Sequence, residues 1–190
     1  MSANAIIVIR FCWLIFAVVW ILAAISTKRT VYRESSASRF RYMLPMFAAW
    51  FLLVRGQRLI YPLDVQVIPP SEGVAFTGAL FCIAGLAFCL WARVIIGRNW
   101  SGIVTLKEGH ELVVQGPYAL VRHPIYTGLL TMFVATWLVY GHLGGICGVV
   151  LVFVSFWIKL RDEERLMLEK FPDQYPAYQQ RVKRIIPFVL

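Results

Sequence analysis

The sequence predicts an all-α, polytopic membrane protein with about five membrane-spanning helices. The last two form a helical hairpin, and a cytoplasmic C-terminal helix or tail follows. Three observations carry that prediction. Apolar residues make up 59% of the chain against 15% charged, where a soluble domain has about 45–50% and about 25%. Uncharged stretches recur at close to the length of a bilayer crossing. The basic residues gather in alternate connections between those stretches.

The elements follow in order. A bilayer core about 30 Å thick needs about 20 apolar residues of helix. Residues 6–25 supply the first span, interrupted only by Arg10. No small-residue cleavage site followed by a soluble domain comes after it, so it reads as a span and not as a signal peptide. The second span, 43–60, is cleanly apolar to Val54 and then carries Arg55 and Arg58, which can reach toward the interface. The third, 74–96, is long enough to tilt, and Gly78, Ala79 and Gly85 allow close helix contacts. Residues 125–140 and 143–158 are two uncharged segments joined by Gly141-His142. So short a link implies an antiparallel hairpin. The chain therefore divides into three N-terminal spans within 1–96 and a second region, 97–190, of connector, hairpin and tail. A barrel is excluded because segments of about ten alternating residues are absent.

Orientation follows from Lys and Arg. The first, third and final polar segments hold 15 of the 19 basic residues, and the second connection and the hairpin tip hold none. That asymmetry places the N-terminus outside and the C-terminal tail in the cytoplasm, in an inner or plasma membrane. The same distribution explains the net charge of +9 without nucleic acid, which would require one accessible basic stripe. The four cysteines lie inside apolar stretches with no CxxC pair, so they read as small hydrophobes, and no metal site is expected.

Most polar chemistry lies in two cytoplasmic pieces, 97–126 and 159–190. The hairpin returns its two cytoplasmic ends to neighbouring positions, so Tyr126 and Lys159 are expected close together. The first piece holds Gly-Arg-Asn-Trp-Ser-Gly (97–102), His110-Glu111-Leu112-Val113, Gly116-Pro117-Tyr118 and Arg122-His123-Pro124-Ile125-Tyr126. Pro124 suits the first turn of the fourth helix, which puts His123 near its N-cap, where an anionic group is favoured. By position alone, Arg122 and His123 equally suit anchoring at lipid head groups. The second piece opens with Lys159, Arg161, Asp162, Glu163 and Glu164. Acids this close to a membrane do not serve orientation; they suit either salt bridges on a solvated helix face or a cationic ligand group. Tyr175, Tyr178, Pro172 and Pro176 suggest an irregular tail along the membrane.

Taken together, these stretches resemble the isoprenylcysteine carboxyl methyltransferase and phospholipid methyltransferase family of integral membrane enzymes. The resemblance covers roughly residues 97–188. Its strongest part is Gly-Pro-Tyr followed by Arg-His-Pro-x-Tyr-x-Gly (116–118 and 122–128), then the hairpin, Glu163-Glu164, Phe171, Tyr175, Tyr178 and Ile186-Pro187-Phe188. It implies a methyltransferase using S-adenosylmethionine, with 97–190 as the catalytic region. Carried over by motif, the cofactor contacts are His110, Glu111, Leu112, Val113, Tyr118, His123, Pro124, Ile125, Tyr126, and Glu163 or Glu164; Thr105 stands where some members have a polar contact. Members from eukaryotes place an Arg shortly before the paired acids to hold the substrate carboxylate. That place here holds Lys159, with Arg161 two residues later, so the resemblance gives these two the orientation of the acceptor.

The residue chemistry agrees with that expectation. S-adenosylmethionine carries a sulfonium, an ammonium and a carboxylate, so its site needs both signs of charge. A glutamate can pair with the ammonium, and His123 with helix N–H groups can bind the carboxylate. Tyr118 and Tyr126 can pack adenine or face the sulfonium. A carboxylate acceptor is ionised at pH 7 and needs no general base, whereas an amine or thiol would call on His123, Glu163 or Glu164. The resemblance implies an isoprenylcysteine-type carboxylate entering from the lipid as the acceptor, with a phospholipid amine or a thiol as alternatives. The rival class is a non-catalytic small transporter or assembly protein, in which Arg10, Arg55 and Arg58 beside the spans would matter most.

Overall fold

The computed structural model describes residues 3–25, 27–58, 61–109 and 111–189. Helix α1 covers Ala3–Ala24, and a short strand β1 (Thr30–Arg33) leads to α2 (Ser36–Arg55). Helix α3 spans Glu72–Ile96; strand β2 is Thr105–Lys107. Helix α4 covers Pro124–Tyr140, α5 covers Leu143–Lys170, and α6 covers Tyr175–Arg181. Among the described residues the architecture is helical apart from one antiparallel ribbon, β1 with β2, which the sequence pattern does not foretell. Only three and four residues long, these strands carry too little alternation to register as a period.

Helix bounds depart from the apolar runs where capping decides them. Helix α2 begins at Ser36, seven residues before the apolar segment, because the Ser35 hydroxyl accepts a hydrogen bond from the Ser38 amide at 3.2 Å. It stops at Arg55, and Ile60, the expected end of the second span, lies outside the described residues. Helix α5 runs on for twelve residues past the apolar segment, from Lys159 to Lys170. The paired acids therefore sit on a continuous helix.

Helix α4 packs most extensively on α3, and α5 on α2. Glycines make the first contact possible. A Cβ on Gly85 would meet the Gly128 carbonyl oxygen at 2.7 Å, and one on Gly128 would meet that of Gly85 at 2.6 Å. Helix α1 crosses the bundle through Trp13, whose indole donates to Thr136 Oγ1 at 3.0 Å and packs edge-on against Trp50 and Phe133. The rest of its surface is largely apolar and exposed, as at Phe11, Leu14, Ile21 and Leu22.

Among the described residues, three helical segments are long and apolar enough to cross a membrane: Ala3–Ala24, Glu72–Asn99 and Leu143–Lys170. Apolar α4 is shorter, and α2 carries Arg39 and Arg41 near its start, Arg55 at its end and Pro45 inside. The chain is an integral membrane protein.

At one end of the bundle, residues 63–68 cover the tip of the α4–α5 hairpin. The Val67 amide donates to the Gly141 carbonyl at 2.8 Å, and the Gly144 amide to that of Leu63 at 2.9 Å. At the opposite end the buried Arg93 ties α1 to α3, donating to the carbonyls of Ala23 at 2.8 Å and Gly97 at 2.6 Å. Helix C-termini are negative ends, which suits a cation held by carbonyls. The C-terminal segment forms α6 and then docks against the start of α4. The amides of Arg122 and His123 donate to the carbonyls of Lys183 (2.7 Å) and Arg184 (2.9 Å), and Thr127 Oγ1 to that of Ile185 (2.6 Å). Burial of Ile185 gives that docking its apolar anchor.

Candidate functional site

A cavity of about 390 Å³ opens at the Arg93 end of the bundle. Its apolar side comes from Phe16 and Trp20 of α1, Ile96 of α3, Leu129 of α4 and Phe156 of α5. Its polar side comes from the connector between α3 and α4, the start of α4, and Lys159 and Glu163 of α5. The volume lies within the range of about 300–1,000 Å³ usual for small-molecule sites.

The structure gathers most of the sequence-expected residues on this wall: Thr105, Glu111, Leu112, Val113, Tyr118, His123, Pro124, Ile125, Tyr126, Lys159 and Glu163. His110 lies outside the described residues. Three details depart from the expectations. Arg161, two residues beyond Lys159 on the helix, is exposed and does not line the cavity. Glu164 does not line it either. At the helix start, where an anion is expected, the amide of His123 is taken by the Arg184 carbonyl.

Glu164 is 3% exposed and surrounded by donors. Its Oε1 accepts from Arg122 Nε at 2.8 Å and lies 2.7 Å from Arg122 Nη2 and 3.2 Å from His123 Nε2. Its Oε2 accepts from Arg184 Nε at 3.0 Å and from Gln179 Nε2 at 3.3 Å. Arg122 is 9% exposed and also donates to the carbonyls of Gln179 and Val182. One carboxylate thus gathers the α4 entrance, α6 and the tail. Arg122 and His123, the pair that position alone suits equally to lipid head groups, both reach the Glu164 carboxylate.

Glu163, by contrast, is only part-buried on the wall. Tyr126 donates its hydroxyl to Glu163 Oε1 at 2.6 Å, and His123 Nδ1 lies 3.6 Å from Oε2. The Tyr126 ring stacks on Phe156 with centroids 4.8 Å apart and on His123 at 5.6 Å. With carboxylates at both ring nitrogens, His123 belongs to an acidic surrounding and not to a carboxylate-binding one.

Lys159 supplies the opposite charge. Its Nζ donates to the Gly102 carbonyl at 2.6 Å and lies 5.3 Å from the Tyr42 ring centroid and 5.5 Å from that of Tyr126. It forms no ion pair among the described residues. Rings and a carbonyl hold the ammonium, and the Glu163 and Glu34 carboxylates act on it through space without an ion-pair contact. Tyr118 and Tyr178 close the cavity's lower side, the Tyr178 hydroxyl donating to the Tyr118 carbonyl at 2.6 Å. Burial, reinforced by the Glu163 charge, pushes the Tyr118 phenol above its ordinary value.

Sequence reasoning did not assign Asn99 or the aromatic residues Phe16, Trp20 and Trp100. Asn99 and Trp100 belong to the quoted 97–102 motif, so a polar-aromatic connector was the signal available for them. Nothing in α1 singles out Phe16 and Trp20 from other apolar helix residues. Two buried polar atoms of the wall, Asn99 Oδ1 and Thr105 Oγ1, have no hydrogen-bond partner among the described residues. Buried polar atoms are nearly always paired, so these two mark where a polar ligand group fits.

Comparison with known proteins agrees with the motifs. The isoprenylcysteine carboxyl methyltransferase family is matched over residues 78–169. The chain is 31% identical over 115 residues to protein-S-isoprenylcysteine O-methyltransferase B of Arabidopsis thaliana, covering 59% of this chain and 58% of that one. It is 29% identical over 170 residues to a probable protein-S-isoprenylcysteine O-methyltransferase of Oryza sativa subsp. indica, covering 88% and 86%. The mouse protein-S-isoprenylcysteine O-methyltransferase is matched at 31% identity over 41% of its length. The chain thus spans from under half to most of its relatives' lengths. A solved structure described as the eukaryotic intramembrane Ras methyltransferase superposes with a TM-score of 0.56 at 26% identity, covering 78% of this chain and 52% of that one. The family resemblance read from the motifs holds across these comparisons.

Proposed function

We propose that the chain is an S-adenosylmethionine-dependent integral membrane methyltransferase whose acceptor is an isoprenylcysteine-type carboxylate. Five crossings, an outside N-terminus and a cytoplasmic C-terminus accompany that reading, with 97–190 as the catalytic region. The supporting observation is the convergence on one cavity of an acid, Glu163, and a cation, Lys159, that is in no ion pair among the described residues. A neutral lipid pocket has no use for both.

The wall fits the cofactor. Glu163 with the Tyr126 ring suits cationic groups, Asn99 Oδ1 and Thr105 Oγ1 suit hydroxyl or amine groups, and Ile125, Leu112 and Val113 offer apolar contact. When bound there, S-adenosylmethionine supplies an electrophilic methyl group on a sulfonium. The protein's own work is placement. Lys159 holds an anionic acceptor by charge, and the apolar side of the cavity receives its lipid portion and keeps water out. Since a carboxylate is already ionised at pH 7, no residue is assigned as general base. Glu164 acts one layer back, fixing His123 and Arg122 and thereby the entrance of α4.

Isothermal titration of the purified protein with S-adenosylmethionine tests cofactor binding. Tritiated-methyl transfer to a prenylated cysteine, to phospholipid extract and to small thiols tests the acceptor. Transfer to a phospholipid or thiol with none to the prenylcysteine would refute the carboxylate reading, and absence of cofactor binding would refute the enzyme.

A further inference from the structure

We propose that Glu34, in the connection between α1 and α2, is a positioning residue for the acceptor end of the site: it fixes Tyr42 and residues 102–104, and through them the Lys159 ammonium. This rests on the role of Lys159 given under the proposed function.

Glu34 lies outside the matched region and outside every motif, yet it is a charged residue only 7% exposed. A carboxylate is costly to bury and is held there by its donors. Glu34 Oε1 accepts from the Tyr42 hydroxyl and from the Val104 amide at 3.1 Å. The Glu34 amide in turn donates to the Val104 carbonyl at 3.2 Å, so backbone and side chain of Glu34 both grip Val104 beside the β1–β2 ribbon. Both supports of Lys159 are thereby tied to one group. The Tyr42 ring is one face of its aromatic enclosure, and the Gly102 carbonyl two residues before Val104 is its hydrogen-bond acceptor.

Tyr42 is fixed from the other side too. Its carbonyl accepts from Ser155 Oγ at 2.7 Å, and Ser155 stands one helical turn before Lys159 on the same face of α5. The ring and the ammonium are therefore referenced to the same stretch of helix. Glu34 Oε2 meets no hydrogen-bond donor among the described residues, so its negative charge is only partly compensated. It adds to the attraction on the cation without forming an ion pair that would compete with an acceptor carboxylate.

The test uses the full chain in detergent and two probes, N-acetyl-S-farnesylcysteine and its neutral carboxamide. A structural defect weakens both probes alike, whereas a displaced Lys159 weakens only the carboxylate. Wild type is expected to prefer the carboxylate by about tenfold, the scale of a charge-assisted hydrogen bond. Glu34→Gln and Tyr42→Phe should each reduce that preference to about threefold or less, with S-adenosylmethionine affinity within about twofold of wild type. Tyr42→Phe keeps the ring and removes only the hydroxyl, so it answers the question should Glu34→Gln fail to fold. An undiminished preference in these variants, or equal weakening of both probes, overturns the proposal. A wild-type protein that binds S-adenosylmethionine but shows no preference removes Lys159 from its assigned role, and this inference with it.

Discussion

Glu163 and Glu164, adjacent in sequence, serve different faces of one helix: Glu163 accepts the Tyr126 hydroxyl at the cavity wall, and Glu164 accepts Arg122 in the packed interior beside it. The two acids therefore make separable predictions.

Replacing Glu163 by Gln removes the wall's negative charge while keeping its shape and its bond to Tyr126. Affinity for S-adenosylmethionine, read by calorimetry, should fall about ten- to a hundredfold, the scale of a charge-assisted hydrogen bond. The melting temperature should change little, because the group is part-exposed. Unaltered affinity would show that Glu163 does not face the cofactor.

The Glu164→Gln protein should show the reverse. It leaves the buried Arg122 without its counter-charge, a loss of about 3–5 kcal/mol. Thermal unfolding in detergent should reveal a fall of about ten degrees. A protein of undiminished stability that nevertheless loses cofactor binding would make Glu164 a direct contact.

Lys159 and Arg161 are two residues apart, and only the first lines the cavity. Lys159→Gln should raise the KM of a carboxylate acceptor about tenfold or more, while Arg161→Gln stays within about twofold. Initial-rate kinetics with the prenylated cysteine distinguish them. Equal defects at both positions would favour general electrostatic attraction over a defined contact.

The raised phenol of Tyr118 carries a stability consequence at alkaline pH. Above about pH 10 the unfolded chain ionises this group while the folded chain holds it neutral, so folding stability falls as pH rises. The contribution is about 1.4 kcal/mol per pH unit until the folded group also titrates. Tyr118→Phe should remove that increment from the slope of unfolding free energy between about pH 10 and 11. An identical slope in the variant would mean that Tyr118 is ionised in the folded protein.

Much of this molecule is written locally. Apolar runs specify helices, Gly78 and Gly85 announce a close helix contact, and the His-Pro-x-Tyr turn and paired acids announce a site. Each of those signals needs only composition or spacing along the chain. The division of labour between Glu163 and Glu164 does not. On a helix, successive side chains point about 100° apart, so one step of sequence separates a cavity wall from a packed interior. Glu34, Phe16 and Trp20 were illegible for a related reason: they reach the site from distant segments, and nothing local distinguishes them from ordinary connector or lipid-facing residues. The return of the tail to Arg122 and His123 likewise depends on carbonyls some sixty residues away. The sequence alone determined that the chain enters a membrane and that charged chemistry gathers at one end. Only tertiary packing decided which charges meet the cavity, because that depends on helix rotation and on partners far along the chain.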